Sequence, residues 1–166
     1  MKRENNPATL YRMGKWHCNI EKHFETGFAC LWEAAELGDA NAHFDLADMF
    51  ANGGRSFEGF EKDEERCTYH LEQAAIGGHP EARYNLGCYE GKNKRHDRAK
   101  KHYIIAAKLG DDDALERVKE GFYLDFFSKE DYETALRGHQ AAVDATKSEQ
   151  RDMAELYDSQ DLGNQN

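Results

Sequence analysis

Proline is scarce: only two residues in 166, at positions 7 and 80. Long stretches of chain therefore lack a helix breaker. Strict apolar–polar alternation is missing too, so no sheet is expected. The longest apolar run, Tyr103 to Ala107, is far too short to cross a bilayer. The amino terminus, MKRENNPATLYRMGKWH, has basic residues but no apolar stretch behind them, so no signal peptide is read. Cysteines number four, at 18, 30, 67 and 88, without a repeating interval. That spacing does not suggest a disulfide framework, and reduced thiols in an intracellular, cytoplasmic protein are expected. Basic residues are outnumbered 22 to 32, for a net charge of −10. Such a balance argues against nucleic-acid or anionic-membrane partners. No Gly-rich phosphate loop, G-x-S-x-G elbow or H-E-x-x-H pair occurs, so the common enzyme signatures and cofactor sites are absent.

What the chain does have is repetition. The stretch AAIGGHPEARYNLG, from Ala74 to Gly87, puts a glycine past one helix and a proline just inside the next. That order marks a helix stop followed by a helix start. AAELGDANAHFDLA from Ala34 and AAKLGDDDALERVK from Ala106 share the register. The common positions are Ala34/Ala35, Ala74/Ala75 and Ala106/Ala107, then Gly38, Gly78 and Gly110. Ala42, Ala82 and Ala114 follow, then Leu46, Leu86 and Val118. The units start 40 residues apart (74 − 34) and then 32 (106 − 74), with a fainter copy near Ala142. Similarity at such a period signals stacked helix–turn–helix repeats. Small residues where two helices cross let ridges enter grooves at short interaxial distance.

A coarse division follows. Residues 1–14 are expected to be flexible, with Asn5-Asn6-Pro7 as a breaker. A helical repeat domain spans 15–146, with its longest loop over 53–61. A capping helix is expected at 147–158 and a frayed, disordered tail at 159–166. Asp39 and Asp111 are plausible N-caps, and Ser128 with Asp131 has capping-box spacing.

The Ala-Ala…Gly…Ala…Leu register resembles the Sel-1-like repeat family, relatives of the tetratricopeptide repeat. The resemblance covers about Ala34 to Val143. It implies an all-α solenoid of antiparallel helix pairs, about three units with flanking helices, whose usual role is protein–protein contact. Phe50 and Phe122 supply the aromatic expected four residues after the leucine position, whereas Glu90 occupies that place in the second unit. Lys119 departs from the small residue expected after the leucine, so the third unit is expected to pack loosely or to end the array.

In related repeats the first helix of each unit lines a concave face. By that register Phe44, Asp48, Tyr84, Cys88, Glu116 and Glu120 point inward and are the candidate partner-binding residues. The plainer reading of Phe44 and Tyr84 is packing between repeats. Ala35, Gly38, Ala42, Leu46, Ala75, Gly78, Ala82, Leu86, Ala107, Gly110, Ala114 and Val118 are assigned to packing. The basic run Lys92–Lys101 reads as a solvated face. His17, Cys18, His23, Cys30, Cys67 and His70 are of zinc-ligand type, but their spacing is not that of a zinc site and no metal is expected. Asp111–Asp113 and Glu64–Glu65 fit helix N-termini better than acid–base work. Phe122 to Phe127 is rich in aromatics, which either seal the end of the array or meet a partner.

The expected function is non-catalytic protein binding, as a scaffold or adaptor holding a peptide or protein in a groove. The alternatives are a hydrolytic or metal-dependent enzyme using acidic groove residues, or a truncated relative of a multidomain repeat protein. Oligomeric state stays open.

Overall fold

A computed structural model describes residues 6–21, 23–53 and 61–163. Positions 1–5 of the expected flexible N-terminus, 54–60 of the expected loop and 164–166 of the expected tail lie outside the described residues. Among the described residues the chain is all helical, with no strand. The helices are α1 (Pro7–Trp16), α2 (Phe24–Glu36), α3 (Ala40–Asn52), α4 (Glu64–Ile76), α5 (Pro80–Lys92), α6 (His96–Lys108), α7 (Asp112–Tyr123) and α8 (Lys129–Gly163). A π-helical stretch, His17–Glu21, follows α1. The chain forms two compact units, one up to His102 and one from Tyr103.

The recurring motif is a two-sided capping device. At the end of α2 the Gly38 N–H donates to the Ala35 carbonyl at 2.8 Å and the Asp39 N–H to the Ala34 carbonyl at 3.0 Å. This is the Schellman arrangement, which satisfies carbonyls that a helix end leaves open. The same pairs of bonds link Gly78 and His79 to Ala75 and Ala74, and Gly110 and Asp111 to Ala107 and Ala106. The three glycines have φ of 88°, 86° and 94°, a region that L side chains rarely adopt. The next residue then caps the following helix. Asp39 Oδ1 accepts from the Ala42 N–H at 2.9 Å, His79 Nδ1 from Ala82 at 3.3 Å, and Asp111 Oδ1 from Ala114 at 2.7 Å. One residue thus ends one helix as donor and starts the next as acceptor, which is why the spacing is invariant.

In the first unit, Leu31, Ala34, Ala42, Leu46 and Phe50 form one buried cluster, and Ala47, Leu71, Ala75, Ala82 and Leu86 another. The Asp63 N–H donates to the Phe50 carbonyl at 3.0 Å, which ties the start of α4 to α3. In the second unit, Ala107, Ala114, Val118 and Phe127 are buried. Phe122 stacks on Tyr132 at 5.2 Å, while Tyr123 and Leu124 stay exposed.

Two differences from the sequence reading stand at the ends. Residues 7–14, expected to be flexible, are helical. Asn6 caps them through Oδ1 to the Ala8 N–H at 2.9 Å, and Pro7 takes the first turn. The breaker-like Asn-Pro pair is a helix start. The helix is held because Gly14 meets α2 closely: a Cβ there would lie 2.8 Å from Leu31 Cγ. Lys15 Nζ also pairs with Asp45 Oδ2 at 3.0 Å. At the other end, α8 runs unbroken through the expected boundaries at 146 and 158 as far as Gly163. It starts in a reciprocal capping box: the Asp131 N–H donates to Ser128 Oγ at 3.1 Å, and the Ser128 N–H to Asp131 Oδ2 at 3.0 Å. No Gly or Pro interrupts it between Gly138 and Gly163, so the backbone has no local reason to stop.

Candidate functional site

The first unit carries a groove of about 270 Å³ between α3, α4 and α5. Phe44 and Asp48 reach it from α3, one turn apart. Cys67 and Leu71 reach it from α4, and Cys88 and Tyr89 from α5. Lys62 and Lys92 line it together with Asp48 and Glu64, so apolar side chains and both signs of charge meet in one cleft. Phe44 also stacks on His79, with ring centroids 4.2 Å apart and planes 15° apart. It is therefore both a packing residue and a groove residue. Asp48 Oδ1 accepts from Asn52 Nδ2 at 2.8 Å, which holds the carboxylate in one orientation.

Phe44, Asp48 and Cys88 thus converge. Tyr84 is not among the residues lining this groove. Glu116 and Glu120 belong to the second unit, where they are exposed and pair with Lys119 at 3.1 Å and Arg117 at 3.5 Å. The contributions of Lys62, Cys67 and Leu71 carry no signal in the sequence, because α4 meets α3 and α5 only after the hairpins pack. Tyr89 stands one residue before Glu90, which holds the place where the repeat pattern expects an aromatic.

The chemistry of the groove is that of recognition. Burial raises the Cys67 thiol above its ordinary range, and the Asp48 and Glu64 carboxylates push the same way. The thiol therefore stays protonated, the opposite of an activated nucleophile. Burial likewise raises Cys18, with Asp45 adding to it, and Cys30, with Glu33 adding to it. All four cysteines are free thiols. Among the described residues, no three His, Cys, Asp or Glu side chains converge to hold a metal ion.

A second constellation lies between α2, α3 and α4. His70, only 3% exposed, stacks on Phe50 at 5.5 Å and 10°. Trp32 meets the same imidazole edge-on at 5.5 Å, and His43 Nδ1 lies 2.9 Å from His70 Nδ1. One of these two nitrogens donates and the other accepts, so the accepting ring is neutral as bonded. Burial lowers His70 to about 4, with the neighbouring His43 and Arg66 adding to it. Burial also lowers His43. Arg66 covers the set, its guanidinium carbon 5.5 Å from the Phe50 ring centroid.

The corresponding positions of the next repeat use different chemistry. Shifts of 40 residues (74 − 34) and 32 (106 − 74) map Trp32, His43 and Phe50 onto Glu72, Arg83 and Glu90, and Arg66 and His70 onto Arg98 and His102. Glu90, 4% exposed, takes the place of the stacked Phe50. Its carboxylate is held by Arg95 Nε and by Arg98, the latter at 3.0 Å. The aromatic departure in the second unit is therefore an exchange of ring stacking for a buried ion pair at the same site.

Comparison with known proteins agrees with these repeats. No family model matches the chain. The crystal structure of a Sel1 repeat protein from Oxalobacter formigenes is 30% identical, with a TM-score of 0.64 over 70% of this chain and 90% of that one. A protective antigen of uropathogenic Escherichia coli strains, displaying an SLR fold, gives a TM-score of 0.63 at 21% identity. That match covers 84% of this chain and 30% of the antigen. The class is therefore the α/α repeat solenoid of antiparallel helix pairs, and the chain belongs to the Sel1-like repeat family. Chitin synthase regulatory factor 4 of Schizosaccharomyces pombe is 27% identical over 111 residues, or 67% of this chain. The chain spans 17% of the length of that relative. Helical repeat folds of this kind serve generally as interaction scaffolds. No helix among the described residues is long and apolar enough to cross a membrane.

Proposed function

We propose that this protein is a non-catalytic binding module, a scaffold or adaptor that holds a peptide segment of a protein partner in the α3–α4–α5 groove. The observation that carries the reading is the convergence of Phe44, Asp48 and Cys88 on one cleft that Lys62 and Lys92 also line. An extended segment can place an apolar side chain over Phe44 and Leu71 and its charged neighbours against Asp48 or the lysines. The protonated Cys67 thiol supports holding over bond chemistry. Likeness to a regulatory factor supports an adaptor acting within an assembly. The free thiols support an intracellular, cytoplasmic setting.

Affinity capture from native lysate tests the reading. The intact protein is compared with Cys88→Phe, which fills the groove, after circular dichroism shows equal helicity. Loss of specific captured proteins in the variant is expected. Identical captured sets would reject the groove as the binding surface.

A further inference from the structure

The cleft beside the His43–His70 pair has a different composition from the α3–α4–α5 groove, and it carries its own inference. Phe28, Trp32, Tyr69 and His70 line it. Glu33, Asp63 and Glu65 line it as well, and among the described lining residues the one cation is Arg66. The rings are linked: Phe28 lies 5.8 Å from Trp32, and Trp32 lies 5.5 Å from His70. Tyr69 completes the set 5.1 Å from His70 and is 54% exposed.

We propose that this aromatic, carboxylate-rimmed cleft binds a lysine or arginine side chain of a basic peptide segment. A cation over an aromatic face is attracted by the ring quadrupole, and nearby carboxylates add to that attraction. The protein already contains one such arrangement here. The Arg66 guanidinium lies over Phe50, and its Nε is 3.4 Å from Asp63 Oδ2. A second cation would meet the same chemistry at Trp32 and Tyr69, with Glu65 as counter-charge. The neutral imidazoles beside it add no opposing charge at pH 7. The chain's net charge of −10 draws cationic partners toward it. The following repeat lacks the feature, because Glu72 replaces Trp32 and Lys101 replaces Tyr69 in register. Selectivity for a basic segment is therefore a property of this one cleft.

The test uses the full chain carrying Trp16→Phe, which leaves Trp32 as the sole indole. A capped six-residue Gly/Ser peptide with two central lysines is titrated against it. Control peptides carry norleucine or glutamate at the two positions. The lysine peptide is expected to shift Trp32 emission saturably, more weakly as salt is raised. Glu65→Gln, exposed and so compatible with folding, should raise Kd roughly three- to ten-fold. Cys88→Phe should leave the titration unchanged, which separates this site from the groove of the proposed function. Equal binding of the norleucine peptide would make the cleft merely apolar and overturn the proposal. Absence of a saturable lysine response, or a glutamine variant indistinguishable from its parent, would overturn it as well.

Discussion

Gly77 lies against Ala40: a Cβ added to residue 77 would stand 2.6 Å from the Ala40 Cβ. The contact joins the corner after α4 to the first residue of α3, so successive hairpins nest through a missing side chain. Gly77 has φ of −70° and ψ of 1°, a conformation open to any residue. Its requirement for glycine is steric and not conformational. Gly77→Val is expected to destabilise by about 1–3 kcal/mol as overpacking. Urea unfolding reads this as a lower midpoint, and an unchanged midpoint would count against nested corners.

Gly78 makes the opposite case. Nothing lies within 4 Å of a Cβ placed there, but its φ is +86°. Gly78→Ala should therefore cost about 1 kcal/mol through backbone strain alone. Lys94 occupies the equivalent place after α5 with φ of 59°, its N–H donating to the Gly91 carbonyl at 3.0 Å. Lys94→Gly is expected to stabilise by roughly 0.5–1 kcal/mol. Thermal melts of the two variants should move in opposite directions.

Glu90 is the buried carboxylate of the first unit, held by Arg95 and Arg98. Removing both arginines leaves its charge uncompensated. Arg95→Ala with Arg98→Ala is expected to destabilise more than loss of the carboxylate charge does. Glu90→Gln leaves two arginines that can turn to water, since both are substantially exposed, and should cost less, about 1–3 kcal/mol. Chemical denaturation that ranks these two variants in reverse order would refute the assignment of Glu90 as the buried partner.

His70 links stability to pH. Its value in the fold is lowered from 6.5 to about 4, chiefly by burial. The native state therefore prefers the neutral ring. The associated stability is complete above about pH 6.5 and is lost as pH falls toward 4. The loss is on the order of 3 kcal/mol. His43 and His102 are lowered by burial as well and act in the same direction. Unfolding free energies at pH 7 and pH 5 should differ less in His70→Leu than in the parent. Equal slopes would remove His70 from the acid response.

Part of the candidate site was legible before the structure. Phe44 and Asp48 are one helical turn apart, and Cys88 follows Asp48 by the repeat shift of 40, so their convergence follows from register. Tyr84, at the same shift from Phe44, does not line the groove. Lys62 and Leu71 enter from a helix whose approach no local pattern describes. The His43–His70 contact is likewise invisible, because two histidines 27 residues apart meet only when α3 packs on α4.

What the sequence determined by itself is the chain of corners. The alanine carbonyls, the positive-φ glycine and the capping Asp39, His79 and Asp111 lie within a few residues of one another. Hydrogen bonds of that range are set by local order, and they specify helix ends wherever the chain lies. Tertiary structure alone decided that α1 is held on α2, and that Glu90 could exchange a stacked ring for two arginines. It also decided that rings and carboxylates from three helices share one cleft. Those outcomes depend on which surfaces meet, and the energy of a contact between distant segments exists only once the packing brings them together.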